Sequence, residues 1–226
     1  MALWDHLQSR SVDSGTGTSA TLAFLSNVVA GSPIIVAVRT GGTAADPVIT
    51  DSQGNTYTRD VLQSAGTDHQ LSVHRAIAGS SAACTVTLTT NSASRRWAIH
   101  EFDAASTTVT KDQHANAEGV ASPSDSGATA TTSSASELLF GACSVANVTS
   151  YTPSDGATTR QEIPAAPNAK LGTSSRAVSS TGTYSATWTL GGTPQDWAAA
   201  IVTFQSDAAA GAETPKSNRL MLLGVS

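Results

Sequence analysis

Charge is scarce in this chain: only 13% of its 226 residues are Asp, Glu, Lys or Arg, against about 25% in an average soluble domain. Lysine and arginine form no cluster, and the net charge is −5 with a pI near 5.4. Such a surface is not built to neutralise phosphates, so nucleic acid is not an expected partner. Cysteine is nearly absent. Cys84 and Cys143 are too few for a disulfide scaffold and lack any zinc-ligand spacing. Both lie in apolar strand-like patterns, which favours buried free thiols and leaves a single disulfide as the alternative. Long apolar runs are missing too. No stretch approaches the ~18 residues of a membrane span, and "MALWDHLQSR" has no basic leader, so synthesis in the cytosol without a secretory signal is expected. Aromatics make up 5% of the chain. Ala, Ser, Thr and Gly fill much of the remainder, a composition suited to sheets with threonine-rich outer faces.

The chain is long enough to bury roughly 70% of its unfolded surface without staples, and its pattern is doubled. "ITDSQGNTYTRD", "CTVTLT" and "AIHEF" recur as "YTPSDGATTRQE", "ATWTLG" and "AIVTF". Ser52 and Ser154, Gly54 and Gly156, Thr85 and Thr187, Leu88 and Leu190, Ile99 and Ile201, and Phe102 and Phe204 are each 102 positions apart. Upstream, "SPIIVAV" at 32–38 matches "SELLFGA" at 136–142, and "SGTGTSATL" matches "SGATATTSS", with drifting offset. These matches define two halves, about 13–106 and 125–206.

Within each half the apolar period is two. Cys84, Val86 and Leu88 share one face and Thr85, Thr87 and Thr89 the other, the alternation of a half-buried strand. The run from Ile34 to Val38 is apolar on both parities and predicts a central strand covered on both sides. Further strands are predicted near 20–29, 69–78 and 95–104. Gly54 is placed at the first central position of a type II′ hairpin, and Asp155-Gly156 suits a type I′ hairpin in the matching place. No segment carries a sustained helical stripe. The expected class is all-β: one antiparallel β-sandwich of jelly-roll type built from two pseudo-repeats over 1–206, with two tandem immunoglobulin-like sandwiches as the alternative. Residues 207–226 form a linker and an apolar tail.

"PVITDSQGNTYTRD", followed by "TVTLTT" and "WAIHEF", resembles a recurrent module of uncharacterised bacterial and tailed-phage structural proteins with a concanavalin-like or jelly-roll-like sandwich. The resemblance covers most of 13–206 and rests on turns and core strands. Its implication is a structural role, with a weaker likeness to phage capsid decoration proteins.

Signatures of chemistry are sparse. No HExxH, GxSxG, P-loop or EF-hand pattern occurs. In "HEFD", Glu101 and Asp103 stand at i and i+2 on a strand, roughly 6.5–7 Å apart at Cα, a spacing open to glycosidase carboxylates. The repeat argues against it, since Glu101 matches Thr203 and His100 matches Val202. His100, on the parity of Phe102, reads as a satisfied interior histidine. Asp51 and Asn55 flank a turn and suit turn capping better than calcium. Trp188 and Tyr184 share a strand parity and are the candidate glycan contacts, although Trp188 matches Val86 on a core face; Trp4, Trp97 and Trp197 are as ambiguous. No catalytic, cofactor-binding or metal residue is assigned, and neither cofactor nor enzymatic activity is expected.

The last segment, "PKSNRLMLLGVS", concentrates Leu220, Met221, Leu222, Leu223 and Val225 behind the spacer 207–213. Burying each such side chain is worth roughly 1.5–3 kcal/mol, so a site that covers them is expected. That site is on the chain's own sandwich or on a neighbour. These readings converge on a virion structural protein of a tailed phage, a capsid decoration or outer-surface subunit. It would assemble in the host cytoplasm as a homo-oligomer on another virion protein such as the major capsid protein. A lectin-like adhesin module binding surface glycans is the alternative, and a glycoside hydrolase the third reading.

Overall fold

The computed structural model describes residues 4–42, 47–104, 108–165, 168–193 and 195–207. The tail residues Leu220, Met221, Leu222, Leu223 and Val225 lie outside them. Fourteen strands and no helix occur among the described residues. The first half contributes β1 (His6–Ala23), β2 (Pro33–Gly41), β3 (Val48–Asp51), β4 (Thr58–Ala65), β5 (His69–Ile77) and β6 (Thr85–Phe102). The second contributes β7 (Val109–Gly119), β8 (Ser124–Asp125), β9 (Ser136–Thr149), β10 (Tyr151–Pro153), β11 (Thr158–Ile163), β12 (Ala169–Ser179), β13 (Thr187–Leu190) and β14 (Trp197–Ser206). All pairings are antiparallel. The protein is an all-β sandwich.

Sheet order exposes the duplication. The first half runs β1-β6-β2-β5-β4 and the second β7-β14-β9-β12-β11, the same order with each strand replaced by its counterpart. A smaller layer repeats as well: β3 joins the first part of β6, which also carries the end of β1, and β10-β13-β8 is its counterpart. In the first half the two layers are continuous, because β1 and β6 each run 18 residues and bend at register shifts near Gly15 and Gly17. In the second half the matching strands are interrupted. Pro123, which cannot donate to a ladder, separates β7 from β8, and Gly191-Gly192 opens the gap between β13 and β14.

Three cores follow. Val36, Val38, Val86, Leu88, Trp97 and Ile99 fill the space inside the first half. Leu139, Val145, Tyr151, Trp188, Trp197 and Ile201 fill the second. Between the two large sheets lies a shared core drawn from both halves, including Ile35, Leu71, Val73, Phe102, Leu138, Phe140, Leu171, Val202 and Phe204. Alternate residues of β2 therefore face different cores, and the strand from Pro33 to Thr40 is buried throughout. This is the two-sided burial predicted for Ile34–Val38. Cys84 and Cys143 are free, buried thiols in different cores; burial pushes both up to about 12.

The ladders correct three details of the repeat. Ile35 faces His100 and Phe140 faces Val202, so β2 and β9 correspond at an offset of 105; the 104 read from the sequence is a one-residue slip that would exchange the two faces. Residues 14–22 lie in β1, whereas 126–134 lie beyond β8, so that match fails. The second half begins before 125, because β7 (Val109–Gly119) pairs with β14 as β1 pairs with β6. The expected hairpins are also different. β3 pairs with β6 and β4 with β5, so the turn between β3 and β4 carries the chain from one layer to the other. Gly54 closes that turn, donating to Asp51 O at 3.3 Å with φ of 74°, and Gly156 holds φ of 80° in the matching crossover. The physical reason is that the left-handed conformation is needed at the last turn position, after the bend, where glycine has no side-chain penalty.

Phe140 bridges both halves, so Phe140→Ala should cost about 3–5 kcal/mol while leaving a single transition. Urea unfolding monitored by circular dichroism and by the fluorescence of single-tryptophan variants that retain Trp97 or Trp188, one reporter per half, should give coincident midpoints. Two separated transitions would show that the halves fold independently.

Candidate functional site

The residues singled out by sequence are distributed through the fold and do not converge. Trp188 is 1% exposed within the second-half core and has no free face for a sugar. Tyr184 is half-buried beside it; its hydroxyl donates to Ser180 O at 2.5 Å, and the Arg176 guanidinium lies 5.8 Å from its ring centroid. The backbone around Tyr184 is held by a Ser/Thr ladder. Ser126, Thr129 and Thr132, spaced by three, each donate a backbone N–H to Ala186, Tyr184 and Gly182 carbonyls and accept the returning N–H on their side-chain oxygens at 2.9, 3.1 and 3.2 Å. That double bonding lets Ser126, Thr129 and Thr132 be buried in an extended segment without a regular strand, while the residues between them are exposed.

Glu101 and Asp103 part company at the end of β6. Glu101 is 1% exposed. Its carboxylate accepts from Val29 N at 2.6 Å and from Gln8 Nε2 at 2.7 Å, and Gln8 in turn accepts from Ser26 N. The residue fastens the segment 24–32 over the mouth of the first-half core. Asp103 lies past the strand, where its backbone bonds Asp5 and Trp4. In the second half the position of Glu101 is Thr203, and the same fastening is done by carboxylates the sequence reading missed. Glu137 Oε1 accepts from Ser134 N at 3.2 Å, while Asp112 accepts from Ser133 N at 2.6 Å and Ser133 Oγ at 2.9 Å. A signal was available: Glu137 is an acid opening the apolar run "LLFGA", where an unpaired charge would be costly. Burial, with Asp112 beside it, pushes the Glu137 carboxyl up to about 7 against the opposing hydrogen bond from Thr203. Burial also works to raise Asp112, but hydrogen bonds from Ser133 and Glu137 outweigh it and hold that carboxyl below its usual range.

Asp51 is a turn organiser. Its Oδ1 accepts from Gln53 N and Asn55 N at 2.9 and 3.1 Å, and its Oδ2 from Asn55 Nδ2 and Tyr57 OH at 2.7 and 2.8 Å. Partial burial acts to raise the carboxyl, and these donors together overcome it and lower it. With both oxygens engaged by donors, Asp51 and Asn55 serve as the turn cap. No group of three or more metal-ligating side chains occurs among the described residues.

His100 is interior, but not satisfied as expected: neither ring nitrogen has a partner. Ring packing holds it, with Phe140 at 5.1 Å edge-on and His6 at 5.9 Å. Burial drives His100 well below its ordinary range, with His6 and Arg160 adding to the effect. Burial and Arg160 likewise lower His6 to about 4.

Two arginines cross between the halves. Arg39, 3% exposed, donates its Nε–H to Val145 O at 3.0 Å and approaches Asp68 at 3.7 Å; burial and Arg96 lower it to about 10. Arg75 pairs with Asp60 at 3.2 Å, donates to Val109 O at 2.6 Å and lies 5.8 Å from the Phe204 ring centroid. Each of these two guanidiniums thus satisfies a backbone carbonyl of the second half.

One open pocket of about 190 Å3 sits where the β4–β5 turn meets the end of β7 and the start of β14, lined by Ala65, Gly66, Glu118, Gly119, Val120 and Asp196. Val120 is 61% exposed. Glu118 accepts from Gly66 N at 2.7 Å, and Gly119 lies directly on the Trp197 indole, where a Cβ would come within 2.4 Å of the ring. Neither Trp188 nor Tyr184 lines it. No family model, curated protein or solved structure matches the chain.

Two outcomes follow from these groups. Asp51→Ala would leave the half-buried Tyr57 hydroxyl and two turn amides without an acceptor and should cost about 1–3 kcal/mol, read as a lowered urea midpoint at unchanged slope. The buried ionisable groups give opposite pH dependences. His6 and His100 are lowered in the fold, so their contribution is present above the unfolded value of 6.5 and is lost as pH falls below it. Glu137 is raised, so its contribution is full below the unfolded 4.5 and is lost as pH rises through about 7. Urea midpoints from pH 4 to 8 should show a shallower acid slope in His100→Phe, where His6 remains, and should lose their slope towards pH 7 in Glu137→Gln.

Proposed function

We propose that this chain is a structural subunit of a tailed-phage virion, a capsid decoration or similar outer-surface protein that assembles as a homo-oligomer on a protein lattice. The observation that supports the reading is the shared core. Two equivalent half-sandwiches are joined through their large sheets and cross-braced by Arg39 and Arg75, which yields a stiff block suited to bearing load. Glu101, one of the two carboxylates that suggested chemistry, instead fastens a segment of this block, as Glu137 and Asp112 do in the second half.

Assembly is assigned to the segment after β14. That strand ends where Asp207 N donates to Thr108 O at 3.3 Å and Ser206 Oγ to Ala104 O at 3.0 Å, so the point of departure is fixed. From there Leu220, Met221, Leu222, Leu223 and Val225 provide the apolar contact with a neighbouring subunit or with the major capsid protein. The glycan-binding alternative has less support, because Trp188 is interior and Tyr184 carries no exposed aromatic partner.

Deletion of 207–226 tests the reading. The truncated chain should remain folded, lose self-association in sedimentation velocity, and fail to co-sediment with particles of its source. Unchanged association and incorporation would remove the reading.

A further inference from the structure

The tail needs a receptor, and the pocket at the end of β7 has matching chemistry. We propose that the segment Leu220–Val225 of one copy docks into the pocket lined by Ala65, Gly119 and Val120 on a second copy, with Lys216 and Arg219 over Glu118 and Asp196. The inference rests on the assembly reading above and names its site.

Three observations carry it. The first is complementarity. The pocket has an apolar floor with the exposed Val120 at its edge, and Glu118 and Asp196 are exposed on its rim. The tail presents two cations, Lys216 and Arg219, immediately before its aliphatic cluster. A cavity of about 150 Å3 already accepts a benzene-sized group, so one or two aliphatic side chains suit this volume. Opposite charge on the rim would set orientation more than affinity.

The second is that duplication provides an internal comparison. The ladder position of Trp197 in the first half is Arg95, which is 2% exposed and lies against Gly17, where a Cβ would come within 2.7 Å of its guanidinium. The ladder partner of Arg95 is Gly15, between Ser14 and Thr16, whereas that of Trp197 is Gly119, between Glu118 and Val120. Among the described residues, only the second half combines an exposed valine with an acidic rim at this place. The difference is not required by the fold, since the first half builds the same ladder without it.

The third is direction. β7 and β14 are antiparallel partners, with Trp197 opposite Gly119 and Ser206 opposite Val109. The tail leaves beside Thr108, and the pocket lies at the other end of the same two strands, about 33 Å away for the ten residues of β14. The stretch from Asp207 to Leu220 spans up to roughly 45 Å when extended. A return along the chain's own flank would take up about three quarters of that reach, at a loss of conformational freedom. Docking on a second copy gives a head-to-tail contact instead, and such a contact repeats into a ring or an open lattice.

The full-length chain carrying Val120→Cys and Leu222→Cys, oxidised and run without reductant, tests the pairing; Cys84 and Cys143 are buried. A disulfide-linked ladder of two or more copies, beyond what either single variant forms, is expected. A cross-link within one copy, or none, overturns the proposal. In sedimentation equilibrium, Glu118→Lys with Asp196→Lys should weaken self-association at least tenfold, and adding Lys216→Glu with Arg219→Glu should restore it. If deletion of 207–226 abolishes assembly while Val120→Asp and the charge reversal leave it intact, the pocket falls and the assembly reading stands. If the deletion has no effect, both fall.

Discussion

The structure depends on one constraint: the central strands of both large sheets are covered on both faces. Pro33–Thr40, Trp97–Phe102, Glu137–Val145 and Trp197–Phe204 have no solvent side, and the strands beside them are largely buried, so their apolar side chains fill three cores. A polar group there needs a built-in partner. Arg39 and Arg75 meet that requirement by donating to carbonyls across the interface between the halves, and Glu101 by accepting a loop amide. His100 does not meet it and is kept neutral among aromatic rings. What first resembles an inventory of chemical groups is therefore a consequence of layering.

Duplication eases this constraint. Because each half repeats the same strand order, a position can change its residue without changing the fold, provided its local partner changes too. Glu101 and Thr203 occupy matching rungs, yet both halves fasten their long connection to the core; the carboxylate has moved to Glu137, supported by Asp112. Asp51, which organises the first crossover through four hydrogen bonds, corresponds to Pro153, and Asp155 caps the second crossover by bonding Ala157 N at 2.9 Å. Arg95 and Trp197 differ in the same way. The fold tolerates divergence wherever the backbone requirement can be met by a neighbour.

Much of this was legible along the chain. The alternation through Cys84, Val86 and Leu88 placed those residues on one buried face, the two-parity run at Ile34–Val38 marked a strand covered twice, and glycines 54 and 156 marked equivalent bends. Other features were not. Period-two patterning says that a face is buried but not against what, so Trp188 could be read as a sugar platform although it belongs to the core. A shift of one residue between β2 and β9 left similar apolar strings in apparent alignment, because two-sided strands carry hydrophobic residues at every position and lose the parity signal that would expose the slip. The hairpin expectation failed for a related reason: a Gly-Asn turn specifies a bend, whereas the strands it joins are chosen by long-range pairing.

By itself, the sequence determined the class and the repeat. Both arise from local periodicity and turn chemistry, which act within a few residues and need no knowledge of distant partners. Only the tertiary structure decided that the two halves would share a third core, that Glu101 and Asp103 would separate, that Arg39 and Arg75 would bridge the layers, and that an acidic-rimmed pocket would form beside Val120. These features join residues tens of positions apart. Their energies come from burial and hydrogen bonding between strands whose proximity is set by the packing of whole sheets, which no local pattern encodes.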